Sequence, residues 1–485
     1  MIRKTKNTLL VLFISQIMFL SLISAQDEVI IEDESDEIVE DSTEVATIES
    51  TTDSSRKYEG LFTIYQDSIS GKSHMLIRHD QLGKEFIYFT HTTEGLVDAG
   101  HVRGGYEGSR IITFERYFNR VEIVAQNTSF YFDPENPLSR AASANISPAI
   151  LVSQEIIVDD TTNNELLIEV DDVFLTEALH QVKPSPNPNA TPGSRFSLGN
   201  LNKSKSKYVE IRSYPLNTDL EVEYVYDNPF PTNHGRGGVT DARSVRIHLQ
   251  HSFVEMPDNN YKPRRDDPRV GYFLTEITDM TSPSNTPYLD VIHRWHLEKK
   301  HPNAAISEPK EPITFWIENT TPHEFRDAVK EGIIRWNEAY EVAGFKNAIQ
   351  AKIQPDDADW DAGDIRYNVI RWTSSPNPAF GGLGPSFVNP RTGQILGADI
   401  MLEWIYFTWR VKYEKLYEIS AEETLFNPQF CSYGDFLHQE NLFGLTALRG
   451  IEGSANAQGR LIEEALISLV MHEVGHTLGL AHNFQ

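Results

Sequence analysis

The sequence predicts an α+β fold: a β-rich region from Tyr58 to about Lys300, then mixed sheet and helices over 301–485, with one long helix carrying the final residues. Two observations predict it. Before Lys300, short runs alternate apolar and polar residues, the period of a strand with one buried face. After Pro312, apolar residues return every three or four positions, the period of an amphipathic helix.

In the first region Val245, Ile247 and Leu249 alternate with Arg246, His248 and Gln250, Val222 and Tyr224 alternate with Glu221 and Glu223, and 86–89 is rich in aromatics. Turn-forming stretches at 183–197 (Pro184, Pro186, Pro188, Pro192, Gly193) and 228–238 mark loops or boundaries. The length suits one large β domain or two modest ones, and there is no internal repeat.

In the second region Ile313–Ile317 reads as a strand. Thr321-Pro322-His323-Glu324 reads as a helix start, with a capping hydroxyl, proline at the first helical position and a glutamate three residues on. Phe325, Val329, Ile333, Trp336 and Tyr340 form its apolar face and Gly344 its stop. Ile365–Trp372 reads as the next strand and Phe387–Met401 as a hairpin around Asn389–Gly393, an edge on which an extended peptide could pair. Leu461, Ile462, Ala465, Leu466, Leu469 and Val470 then lead helically into His472.

That last helix carries the chemistry. His472 and His476 are four apart, so both imidazoles can face one metal ion. Glu473 lies beside them without being forced to ligate, and Gly479 can take positive φ, end the helix and return His482 as third ligand. Three neutral nitrogens leave a fourth tetrahedral position for water, whose pKa zinc lowers to about 7, within reach of Glu473 as base. An ordinary metal-free helix needs neither the glycine nor the third histidine. A structural zinc is expected to have four protein ligands and needs no adjacent carboxylate.

The pattern His472-Glu473-Val474-Gly475-His476-Thr477-Leu478-Gly479-Leu480-Ala481-His482 resembles that of the metzincins, and the stretch to Phe484 resembles a bacterial family of large secreted zinc-dependent metalloproteases. The resemblance extends upstream through Glu59–Phe62, Asp267–Phe273, Arg294-Trp295 with Leu297–Lys300, Asp364–Ile370, Gly384–Ser386 and Pro390–Gly393. It implies a metzincin-like zinc peptidase region behind β-rich domains, acting on a protein or peptide substrate. It also implies a methionine-containing turn after the third histidine. The sequence reaches Gln485, three residues beyond His482, so the catalytic region over 301–485 is expected to be incomplete at its C-terminus.

At the other end Arg3, Lys4 and Lys6 precede an apolar run from Leu9 to Ile23, and Ala25 before Gln26 fits a cleavage site, so 1–25 is expected to be a signal peptide. The alternative is an uncleaved anchor, but the run is interrupted by Ser15 and Gln16 and is shorter than the ~20 apolar residues of a spanning helix. The expected location is exported, whether periplasmic, outer-surface or secreted, with no stable membrane span after cleavage. Residues 26–57 hold twelve acidic and two basic side chains and are expected to remain a disordered acidic tail. With a net charge of −27 and no basic patch, nucleic acid is not an expected partner. The oligomeric state has no sequence signal.

The single cysteine, Cys431, permits no intrachain disulfide and reads as a small buried apolar residue rather than a latency switch. Asp356, Asp357, Asp359, Asp361 and Asp364 are dense enough to hold Ca²⁺, although their spacing is not that of an EF-hand, Trp360 interrupts it, and a solvated loop is the preferred reading. His248, His251, His293 and His296 are expected as surface or core residues rather than further ligands. Two functions are compatible with these residues: a zinc endopeptidase with one catalytic ion, or a non-catalytic extracellular binding protein that keeps an inactive zinc site.

Overall fold

The computed structural model describes residues 46–185, 189, 191, 193–360, 362–375, 380–407, 433–449, 451 and 455–482. The expected signal peptide, the acidic tail up to residue 45 and Cys431 lie outside the described residues.

Twelve strands between Ser55 and Glu255 form one antiparallel sheet. Its central strands are β1 (Glu85–Glu94), β2 (Tyr106–Tyr117), β3 (Asn217–Asp227) and β4 (Ser244–Glu255). From one edge the order is Ser55–Tyr58, Thr63–Asp67, Ser73–Arg78, Glu165–Glu169, Ala149–Asp160, Arg120–Ala125, β2, β1, β4, β3 and Asn200–Leu201, and Lys207–Ser213 also pairs with β3. One face closes over an aromatic core. The Phe62 ring lies 5.0 Å from Phe86, 4.9 Å from Phe114 and 5.8 Å from Phe253, all tilted or edge-on, the arrangement favoured by aromatic quadrupoles.

The alternation along β4 predicts a solvated second face, and the structure departs from this. His248 and Gln250 are buried. His248 is held between Glu221 and Glu223 of the neighbouring strand, and Gln250 is covered by docking: its amide donates to the Gly363 carbonyl at 3.3 Å, while Ile87, Phe89, Ile111 and Val254 form a cluster with Ile365 and Phe387 of the second region. Phe89 and Phe387 stack at 4.5 Å. The large sheet therefore serves as a platform for the second region.

The acidic segment also ends earlier than its composition suggests. Ile48–Thr51 form a helical turn with a capping box on Thr47, Ser55–Tyr58 add a strand to the sheet, and Ile48 packs with Leu76, Val158 and Leu167. One apolar residue and a ready edge outweigh the local polarity.

A buried hydrogen-bonded relay ties this sheet together. The Tyr224 hydroxyl donates to the Phe174 carbonyl at 2.6 Å, so it accepts from His251 Nε2 at 2.7 Å, and His251 Nδ1 then accepts from the Tyr88 hydroxyl at 2.8 Å. The imidazole is thereby held neutral. Burial pushes its pKa down to about 3, with His180 and His91 adding repulsion. A histidine whose folded pKa is depressed contributes stability that is present above its unfolded value, near 6.5, and lost as pH falls toward the folded value. His251→Gln should therefore lower the urea midpoint at pH 7, and the gap from wild type should narrow between pH 6.5 and 4. A constant gap would remove His251 from the acid response.

The second sheet contains β5 (Ile313–Ile317), β6 (Ile349–Ile353), β7 (Asn368–Thr373), β8 (Gly382–Leu383), β9 (Ser386–Val388) and β10 (Ile395–Glu403). The order is β6-β5-β7-β10-β8, with the first four parallel, β8 antiparallel and β9 also antiparallel on β10. Helices α1 (Arg326–Ile334), α2 (Trp336–Val342), α3 (Tyr433–Arg449) and α4 (Ala455–Thr477) accompany it. The fold is thus a β-rich sheet followed by a mixed sheet and helices.

Two local expectations are modified. Thr321 does not cap: its hydroxyl is buried without a partner, the first turn is a 3-10 turn at His323–Phe325, and Arg326 donates to the carbonyls of Thr321 and Asn319 at 3.0 and 2.8 Å. The strand expected from Ile365 begins at Asn368, because Arg366 turns back onto the Asp364 carboxylate at 2.5 Å.

Candidate metal centre

Helix α4 is held from both sides before it reaches the site. Leu466, Ile467, Leu469 and Val470 are buried with Ala328, Val329 and Ile333 of α1 and with Ile370, Ile400 and Leu402 of the sheet. The Trp336 indole donates to the Met471 carbonyl at 2.9 Å, one residue before His472. The helix ends at Thr477, and Gly479, at φ +96°, turns the chain. Leu480 N–H donates to the Gly475 carbonyl at 3.1 Å and Gly479 N–H to the His476 carbonyl at 2.9 Å, a glycine-dependent helix stop.

Upstream residues clamp this turn. Phe273 N–H donates to the Gly479 carbonyl at 2.8 Å, Ala481 N–H to the Gly271 carbonyl at 3.2 Å, and Tyr272 bridges Leu480. The Trp295 indole donates to the Thr477 carbonyl at 2.8 Å. A Cβ on Gly479 would lie 2.0 Å from the His293 carbonyl oxygen. The stretches around Asp267–Phe273 and Arg294-Trp295 thus act on the site by fixing the turn that presents His482.

The three histidines converge. One ligand atom from each of His472, His476 and His482 lies within 4.8 Å of the others, and His472 Nε2 is 3.1 Å from His482 Nε2. Nitrogens bound tetrahedrally at about 2.0–2.1 Å from one zinc lie roughly 3.3 Å apart, so the donor set fits. His476 Nδ1 donates to the Leu480 carbonyl at 2.8 Å, which leaves Nε2 as its metal-facing atom. Tyr433, on α3, stacks on His472 at 4.4 Å and shares a 2.8 Å hydrogen bond with Ser468. Burial holds His472 down at about 4 and lowers His476 as well, keeping both neutral, the form that ligates.

Glu473 is fully buried, and among the described residues neither carboxylate oxygen has a hydrogen-bond partner. Burial alone pushes its pKa up to about 8. An unpaired buried carboxylate is costly, and an adjacent cation would restore its charged form. The edge strand lies directly over it. A Cβ on Gly382 would sit 2.5 Å from Glu473 Oε1 and one on Gly384 2.7 Å from the Glu473 carbonyl, so only glycines allow β8 this close. The hairpin expected around Asn389–Gly393 forms between β9 and β10, with Gly393 at φ +73°.

Other candidates separate from this site. Among the described residues the histidine triad is the one group placed to hold a metal. Among the described residues the aspartates form no metal-holding group: Asp356, Asp357 and Asp359 are exposed and Asp364 is taken by Arg366, while Asp361 lies outside the described residues. His248 accounts for both ring nitrogens with Glu221 and Glu223 at 3.2 and 3.0 Å, and His293 Nε2 lies 3.0 Å from Thr275 Oγ1. His296 packs its ring edge-on against Tyr261 at 5.8 Å. Among the described residues no helix is long and apolar enough to cross a membrane. The site residues that sequence patterns do not reveal are Tyr433 and Gly382; helix α3 has a faint signal in Tyr433, Leu437, Asn441 and Leu445 at intervals of four.

With this geometry in view, two family models match the chain. Residues 454–485 match the model described as Met-zincin. The chain therefore carries a Met-zincin segment whose triad is consistent with zinc binding. Residues 104–300 match a domain of unknown function, DUF5117, which takes in β2, β3 and β4 of the large sheet and the Gly271–Phe273 and Trp295 clamp on the Met-zincin turn. No curated protein and no solved structure matches the chain.

Proposed function

We propose that the protein is an exported zinc-dependent endopeptidase, with His472, His476 and His482 as metal ligands and Glu473 as general base. One observation carries this reading: a buried carboxylate with no partner among the described residues lies beside three converging imidazoles and against the last strand of the sheet. A zinc ion at the triad would supply Lewis acidity and lower the pKa of water. The chain's residues do the rest. Glu473 accepts a proton from the attacking water and returns it to the leaving amine. The apolar burial around Glu473 keeps solvent from competing for that proton. Strand β8, antiparallel at the sheet edge, offers main-chain groups to an extended substrate. Export rests on the basic, apolar and small-residue succession from Arg3 to Ala25.

The test is metal content together with cleavage of casein by the full chain. About one zinc per chain is expected, with cleavage lost on chelation and restored by zinc. Stoichiometric zinc with no chelator-sensitive cleavage would instead support a non-catalytic binding protein.

A further inference from the structure

A helix restricts the first side-chain torsion of a histidine, but the second, which sets the plane of the ring, has a broad distribution. A ligating nitrogen therefore stays in place only when a neighbour fixes that plane. His476 has such a neighbour in the Leu480 carbonyl, 2.8 Å from its Nδ1. For His472 the neighbour comes from another helix. Tyr433, the first residue of α3, stacks on the imidazole with ring centroids 4.4 Å apart and planes 19° from parallel.

The stacking ring is itself pinned. The Tyr433 and Ser468 hydroxyls share a hydrogen bond of 2.8 Å. Ser468 precedes His472 by four residues on α4, so the two lie on one face of that helix. Tyr433 runs along this face, with its ring on one residue and its hydroxyl on the other. The hydroxyl is thus engaged about one turn back along the helix, while His472 Nε2 faces His482 Nε2 at 3.1 Å. What Tyr433 brings to the triad is the flat of its ring.

Helix α3 is held where it can do this. A Cβ on Gly434 would lie 2.6 Å from the Cα of Gly381, just before β8, so backbone meets backbone beside the ring. Farther along, His438 Nδ1 donates to the Tyr406 carbonyl at 3.1 Å, and a Cβ on Gly444 would lie 2.7 Å from Leu461 Cδ2 of α4. Three separate contacts therefore oppose any slide of Tyr433 along α4. The stack also responds to the metal. Ligation withdraws charge from an imidazole, and an electron-poor ring is attracted more strongly to the negative face of a phenol.

We propose that Tyr433 is a positioning residue for the metal centre: its ring sets the plane of the His472 imidazole, and Ser468 sets the ring. Only zinc binding at the triad is taken from the peptidase reading, and catalysis enters none of the measurements. Zinc affinity of the full chain is measured against a competing chelator for wild type, Tyr433→Leu, Tyr433→Phe and Ser468→Ala. The visible spectrum of each is recorded with cobalt(II) in place of zinc, because it follows ligand geometry. Tyr433→Leu keeps an apolar side chain without the ring and should weaken zinc binding by about ten- to a hundredfold, the scale for loss of a ligand's outer support, with a displaced cobalt spectrum. Tyr433→Phe keeps the ring and should stay within a few-fold of wild type with its spectrum intact. Ser468→Ala should weaken binding a few-fold when Tyr433 is present and not at all in the Tyr433→Leu background, since serine acts through the ring. Wild-type affinity and spectrum in Tyr433→Leu overturn the assignment, as does a Tyr433→Phe protein no better than Tyr433→Leu. An equal Ser468→Ala effect in both backgrounds overturns the role of Ser468. Circular dichroism of the metal-free proteins checks the fold. Should Tyr433→Leu not fold, the near-ultraviolet tyrosine difference spectrum on adding zinc decides: a smaller change in Tyr433→Phe than in wild type supports the stack, and an equal change overturns it. Wild type that takes up zinc without cleaving casein ends the peptidase reading and leaves Tyr433 to these affinities, whereas wild type that takes up no zinc overturns both.

Discussion

Glu473→Ala is expected to reduce casein cleavage by about a thousandfold, within the range for loss of a general base, while zinc content stays at the wild-type level. The two halves of this result come from the same helix. His472 and His476 share a face, whereas Glu473 points into the protein with its oxygens against the edge strand. Removing it takes away no ligand. It also removes a buried carboxylate that no group among the described residues satisfies, so the metal-free variant should melt no lower than metal-free wild type. Casein digestion, metal analysis and a thermal scan of chelated protein measure the three quantities. Loss of zinc in the variant would make Glu473 a ligand and undo the assignment of roles.

The second large effect is expected at Gly479. Alanine there meets two obstacles: a left-handed φ of +96°, and a Cβ 2.0 Å from the His293 carbonyl oxygen. The first costs about 1–2 kcal/mol. The second cannot be relieved without moving backbone, because His293 N–H is itself bonded to the Phe273 carbonyl at 2.8 Å. The turn must open, and His482 leaves the triad. Zinc affinity measured against a competing chelator should fall by at least tenfold, the lower end for damage to a ligand's support, and casein cleavage should fall with it. Asparagine tolerates positive φ but carries the same Cβ, so Gly479→Asn should fare no better. Wild-type zinc affinity in either variant would separate His482 from the turn.

Much of this site can be read along the chain because its information is local. Spacing within one helix brings His472 beside His476, and the strand Ile313–Ile317 and the Asn389–Gly393 hairpin form where their residues suggest. Distant pairings are less legible. Strand β8 is two residues long, too short for any period, and its role comes from glycines lying against Glu473. The burial of Gln250 on β4 depends on a partner more than a hundred residues away at Gly363. Thr321 has the sequence of a cap and not the geometry, since the chain enters through a 3-10 turn at His323–Phe325 and Pro322, not Thr321, stands at the cap position. Tyr433 becomes part of the site only because α3 brings it against His472.

The clamp across Gly479 has a practical consequence. A fragment starting at Ile313 would keep all three histidines and Glu473, yet it would lose Gly271, Phe273, His293 and Trp295, which hold the turn. Cutting where strand and helix patterns change would therefore detach a ligand from its support rather than isolate a working unit. Linkage makes the dependence mutual: a metal that binds only the clamped turn must stabilise the clamp by the same free energy. Proteolysis of the 256–312 segment should accordingly slow when zinc is added, a readout far from the ion and independent of any substrate.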